Sequence, residues 1–171
     1  VMPTQVLGAP AVTTLIQGNM GLNNPGDLVV DAAGNFYVGA MGSENILKVS
    51  PDGTKTEIFN FTDVIVQPGT KGWIDRIAVD GMGNVYTLVF HLELNIEGEF
   101  TKWLGEFVFK IRPDGTVTEI IDETGDGAGN ELEGIYGLTA DDAGNAYVTG
   151  AESRNAFKIA PDGTVTEIID Q

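Results

Sequence analysis

The chain has 171 residues, 42% of them hydrophobic, with no cysteine, one histidine and 25 acidic against 9 basic side chains, for a formal net charge of -16. Such an acid excess repels phosphate and makes nucleic acid or an anionic lipid surface a poor partner unless a cation intervenes. The missing cysteines exclude a disulfide framework, a thiolate metal site and a cysteine nucleophile, and no apolar run approaches the ~18 residues of a membrane-spanning helix. The chain opens at Val1, which fits a processed secretory precursor or a trimmed chain. Acidity and a strand-rich pattern point to a secreted or periplasmic location.

Residues 1–10 read as an N-terminal segment and 11–171 as the folded unit. Val12-Thr-Thr-Leu-Ile-Gln17 matches Thr116-Val-Thr-Glu-Ile-Ile121 further on, so 12–17 predicts an extra outer strand. A unit of about 48 residues then recurs. Leu28 to Asp31 is apolar and β-branched, and Asp31-Ala-Ala-Gly34-Asn35 reverses the chain, because those residues tolerate positive φ and bond their own backbone. Phe36 to Gly39 follows, with a turn at Gly42 to Glu44. Ile46 to Val49 alternates apolar with polar, Pro51-Asp52-Gly53 is a turn tripeptide, and Thr54 to Phe59 is a fourth strand. The Asp-x-x-Gly-Asn turn recurs at Asp80 and Asp141, each time with a tyrosine two residues after the Asn, and the Pro-Asp-Gly turn recurs at Pro113 and Pro161. Recurrence in every unit reads Asp31, Asp80 and Asp141 as turn formers rather than a catalytic carboxylate set.

Four-stranded units of this length predict an all-β fold, a β-propeller of three four-stranded blades at about 25–60, 73–122 and 135–170 plus the extra N-terminal outer strand. The pattern apolar-x-Val-Asp-x-x-Gly-Asn-x-Tyr-Val, followed by Ile-x-Lys-Val/Ile-x-Pro-Asp-Gly, resembles NHL-type repeats. It is shared with the gluconolactonase (senescence marker protein) family and with virginiamycin B lyase. The resemblance runs from about Ala11 to the end of the chain and implies the architecture, since the matched residues are turn and core residues. Propellers close with four to eight blades, so three make half of a six-bladed ring. Either a second copy closes the ring as a homodimer, or the chain is the first half of a longer protein.

The middle unit carries an inserted hairpin at about 90–105, from Phe90-His91 through Glu97-Gly98 to Trp103. Trp103 reads as packing over the base of the hairpin or as a wall over the pore, and His91 as a structural imidazole or a base. Asp122-Glu-Thr124-Gly-Asp126-Gly-Ala-Gly-Asn130-Glu-Leu-Glu133 follows the spacing of a calcium loop, with oxygen ligands at Asp122, Thr124, Asp126, Asn130 and Glu133. Calcium or another divalent cation is the cofactor this predicts, with no organic cofactor.

Aligning the blades places Asn23, Asp27, Asp75, Arg76 and Tyr136 just before or on the inner strands, as candidates for the ligand face. Asp75 and Arg76 read equally as an ion pair between blades. The gluconolactonase resemblance implies a pore metal held by a Glu before an inner strand, and Glu133-Gly134-Ile135 is similar, although Ile stands where that family has Pro. With Glu133, Asp27, Asp75 and Asn23 around an axial cation, a metal-dependent hydrolase or lactonase is the alternative function. The lyase resemblance implies Mg-assisted elimination with a catalytic histidine, yet His91 lies outside the repeat pattern. The leading expectation is a non-catalytic propeller module that assembles into a ring and binds a small molecule or protein on its acidic loop face.

Overall fold

The computed structural model describes residues 21–65 and 67–170; the strand expected at 12–17 lies outside them. Twelve strands form three four-stranded antiparallel sheets, each a meander in chain order. The first is β1 (Pro25–Val30), β2 (Phe36–Ala40), β3 (Asn45–Val49) and β4 (Lys55–Asn60). The second is β5 (Thr70–Val79), β6 (Val85–Leu94), β7 (Phe100–Ile111) and β8 (Val117–Asp122). The third is β9 (Ile135–Ala140), β10 (Ala146–Gly150), β11 (Asn155–Ile159) and β12 (Val165–Ile169). A single helical turn, α1 (Phe61–Val64), capped by the Asn60 side chain on Thr62 N–H, joins the first two sheets.

One turn geometry explains the meanders. In the first repeat Gly34 N–H bonds the Asp31 carbonyl while Asp31 N–H bonds the Asn35 carbonyl, and the same pair of bonds recurs at Asp80, Asp141, Ser50, Arg112 and Ala160. The fourth residue of each turn is a glycine with φ near +80 to +90°, as at Gly34 (81°), Gly83 (79°) and Gly163 (89°). A side chain resists that left-handed backbone, which fixes the spacing of glycine in every unit. The Asp carboxylate then ties the turn from inside: in the first repeat Asp31 accepts from Ala33 and Asn35 N–H, from the Asn35 side-chain amide and from the Tyr37 hydroxyl. Carboxylate, amide and phenol recur as a set because each holds the others.

Period-two alternation gives the middle sheet two apolar faces. Val85, Val89, Phe109 and Ile111 pack against Tyr37, Ile46 and Phe59 of the first sheet. Tyr86, Leu88 and Val108 pack against Ala146, Val148, Phe157 and Ile159 of the third. The sheets therefore stack side by side as blades, with β1, β5 and β9 as neighbouring first strands. Close approach is secured by small residues: a Cβ on Gly39 would lie 2.7 Å from Ile74 Cγ2, and one on Gly72 would enter the Phe61 ring.

Among the described residues, the two outer blades each have a face that no neighbouring sheet covers. Leu28 and Val30 on β1 are about half exposed, as are Ile168 and Ile169 at the end of the chain.

Candidate functional site

The turns between second and third strands and the passages from one blade to the next share one end of the stack. There the middle blade projects beyond its neighbours, because β6 and β7 continue past the repeat to a turn at Asn95 to Glu99. On this hairpin Trp103 meets Phe100 (5.1 Å between ring centroids), Phe90 (5.5 Å) and Trp73 of β5 (6.2 Å, edge-on). Edge-to-face contacts of this kind fix the orientation of an indole that stays wet. Trp103 is 53% exposed and Phe100 47%. Packing over the hairpin base and an open aromatic surface are thus two aspects of the same residue.

At the start of β9, Tyr136 is 64% exposed, and the Arg76 guanidinium carbon stands 5.3 Å above its ring. Arg76 also pairs with Asp75 (3.2 Å). Asp75, Arg76 and Tyr136 are therefore brought together at the seam of blades 2 and 3. Asn23 is tied to the blade 1 turn through its backbone, its N–H donating to Ser43 Oγ and its carbonyl accepting from Gly42.

Asp27 belongs to a different set. Its Oδ2 accepts the Ile77 N–H of the next blade (2.8 Å). Glu44 does the same for Gly72 N–H (3.0 Å) and holds Lys71 (3.1 Å), and Glu106 does it for Ile135 N–H (2.5 Å). Each carboxylate is a strut from one blade to the backbone of the next, an ionic acceptor on an otherwise orphaned donor. Glu44 and Glu106 escaped the sequence reading, because neither lies in a repeat motif and their partners are far along the chain. Burial raises the Glu106 carboxyl above the ordinary range, and the Glu123 and Glu152 carboxylates add to it against the lowering by Ile135 N–H.

His91 is buried in the first seam, with its ring 5.2 Å from Phe61 and 6.2 Å from Phe107. Its Nε2 has no hydrogen-bond partner, and desolvation lowers its pKa below the ordinary 6.5. It does not line the aromatic surface.

In the Asp122 to Glu133 loop the oxygens turn inward on the loop itself. Asp122 Oδ1 accepts from the N–H and hydroxyl of Thr124. Asp126 accepts from Ala128 N–H, Asn130 N–H and the Asn130 amide, which hold its carboxyl below the usual carboxylate range. Asp126-Gly-Ala-Gly129-Asn130 is a fourth Asp-x-x-Gly-Asn sequence, and its carboxylate accepts from the same two N–H groups and the same amide as those in the blades. A cation there has to displace those donors. Glu133 is exposed at the end of the loop. Among the described residues no three His, Cys, Asp or Glu side chains are gathered to hold a metal ion, and the axial set of Glu133, Asp27, Asp75 and Asn23 does not converge on one.

No protein-family model and no curated protein matches the chain. Solved structures do. The crystal structure of a protein named as a gluconolactonase is 16% identical at a TM-score of 0.55, over 84% of this chain and 48% of that one. A gluconolactonase from Xanthomonas campestris is 15% identical at a TM-score of 0.52, over 82% of this chain and 46% of that one. A streptogramin B lyase is 15% identical at a TM-score of 0.42, over 87% and 55%. The chain has the fold of gluconolactonase-like β-propeller structures and spans about half their length.

Proposed function

We propose that the protein is half of a six-bladed propeller, completed by a second copy, and that it works as a binding module through the aromatic surface at the loop end of blades 2 and 3. The carrying observation is the exposure of Leu28, Val30, Ile168 and Ile169 on the two terminal blades. Apolar side chains on both flanks of a stack are what a closing contact covers. Internal struts are not repeated at the flanks: Arg154 stands in the turn position of Glu44, and Gly137 aligns with Asp27. The closing seam thus rests on apolar contact. Light scattering should give about twice the monomer mass of 18.1 kDa, and Leu28→Asp should return the chain to monomer with its unfolding transition retained. A wild-type monomer at micromolar concentration overturns the assembly.

Binding is expected to need Trp103, whose exposed indole reports occupancy by fluorescence, so Trp103→Ala should lose the response without losing the dimer. A hydrolase of the gluconolactonase type is the second reading. Among the described residues Glu133, Asp27 and Asp75 do not gather around a metal ion. What favours the hydrolase is Glu106, a carboxyl whose raised pKa suits a proton carrier. Turnover of a sugar lactone above its spontaneous rate, lost in Glu106→Gln, supports this reading, and its absence in the wild type excludes it.

A further inference from the structure

The projecting hairpin of the middle blade combines an apolar platform with acid that the chain does not compensate. The platform is held from within: Asn95 Oδ1 accepts the N–H groups of Glu97 and Glu99, its amide donates to Glu99 Oε2, and Gly98 closes the turn at φ 82°. Ile96 at the tip is wholly exposed, and Phe100 and Trp103, in ring contact at 5.1 Å, are about half exposed. Apolar side chains displayed in this way mark a contact surface.

Charge determines what such a surface takes. Residues 90–106 and 122–133 hold nine acidic side chains and one basic, Lys102, which is half of the chain's net charge of -16. Lys102 itself stands opposite Glu93 across the hairpin. The acids are spread along the surface, with Glu97 and Glu99 at the tip. Glu106 lies at the base as the strand partner of Phe90, whose ring meets Trp103 at 5.5 Å. There Glu123 Oε2 accepts the Glu106 N–H, and the Glu152 carboxylate acts on Glu106 through space. Among the described residues no three of these acids gather closely enough to hold a metal ion, so they suit positive charge distributed along a chain. From Phe100 to Glu106 the strand runs about 20 Å, the reach of a short extended peptide. At this end the chain already seats a guanidinium on an exposed ring, Arg76 over Tyr136 at 5.3 Å. Among the described residues no cation covers the Trp103 indole, the ring type that attracts a guanidinium most strongly.

We infer that the hairpin face takes a basic, arginine-bearing segment of a partner protein, with a guanidinium on the Trp103 indole and its neighbours between the acids of the tip and of the base. This rests on the reading of that face as a binding surface and names its partner. The probes are the peptide Gly-Arg-Gly-Arg-Gly-Arg-Gly and a neutral analogue with tyrosine in place of arginine, titrated into the full chain by calorimetry. The arginine peptide should bind, and weaken at least about tenfold as ionic strength rises from about 0.05 M to about 0.5 M. Trp103→Ala should weaken it several-fold. Glu97→Gln/Glu99→Gln should do the same with an unchanged Tm, while Asp52→Asn/Asp142→Asn, which removes two charges at the opposite end of the blades, should leave it unaffected. Equal losses in the two double variants mean attraction by net charge alone and overturn the site. No arginine binding, or a tyrosine peptide that binds as tightly with both lost in Trp103→Ala, overturns the basic partner and leaves the binding surface standing. Arginine binding that Trp103→Ala does not weaken overturns the surface and the partner together.

Discussion

Asp80→Ala is expected to cost about 3–5 kcal/mol of unfolding free energy, while the same change at Asp141 costs about 1 kcal/mol. Both aspartates make the same bonds. Asp80 accepts from Met82 N–H (2.9 Å), Asn84 N–H (2.9 Å), the Asn84 amide (2.7 Å) and the Tyr86 hydroxyl (2.9 Å), and Asp141 has the matching four. They differ in what replaces them. Asp80 and Asn84 are buried between blades 2 and 3, so the freed amides find no water, and an unsatisfied buried donor carries its full desolvation cost. The hydroxyl proton of Tyr86, shared between Asp80 and the Gly144 carbonyl at 3.0 Å, falls back on a neutral acceptor alone. The Asp141 turn lies on the uncovered side of blade 3, where solvent reaches the same donors. Urea unfolding of the two variants measures the difference, and equal losses would show that the turn and not the seam sets the energy.

That contrast also marks what the sequence made legible. Turn chemistry is local: Asp, Gly and Asn within five positions determine a bend, the bend repeats, and the meander with its three blades follows from the repeats alone. The Asp122 to Glu133 loop reads two ways for the same reason. Its Asp126-to-Asn130 core is one more such sequence, whose oxygens at alternate positions also satisfy a calcium pattern. Contacts between blades are a different matter. Asp27, Glu44 and Glu106 each bond a backbone N–H whose place in the sequence no spacing encodes, so Asp27 read as a ligand-face acid and the two glutamates went unread. Trp103 was ambiguous because its partners Trp73 and Phe90 lie on other strands, and only pairing of β5, β6 and β7 brings them to one side.

His91 supplies the second large effect. Its ring is 5% exposed among Phe61 and Phe107, with Nε2 unpartnered. An imidazole held this way is a buried polar group without its hydrogen bond, and His91→Phe is expected to raise stability by about 1–3 kcal/mol at pH 7. The gain should grow on acidification. Burial disfavours the imidazolium, so the folded-state pKa lies below the ordinary 6.5 of the unfolded chain. Between those two values the unfolded state binds the proton and the folded state does not. The wild type therefore keeps its full stability above about pH 6.5 and loses this component as the pH falls toward the folded-state pKa. Desolvation alone causes the lowering, and Glu44, which accepts the N–H of His91's strand partner Gly72, is already paired with Lys71 at 3.1 Å. Unfolding free energies of wild type and His91→Phe, compared from pH 8 to pH 5, should diverge below about 6.5. A constant difference would mean that the imidazole finds a proton acceptor or solvent in the folded seam, and a base at this position would again be open to consideration. Divergence assigns the lone histidine to the packing of blades 1 and 2.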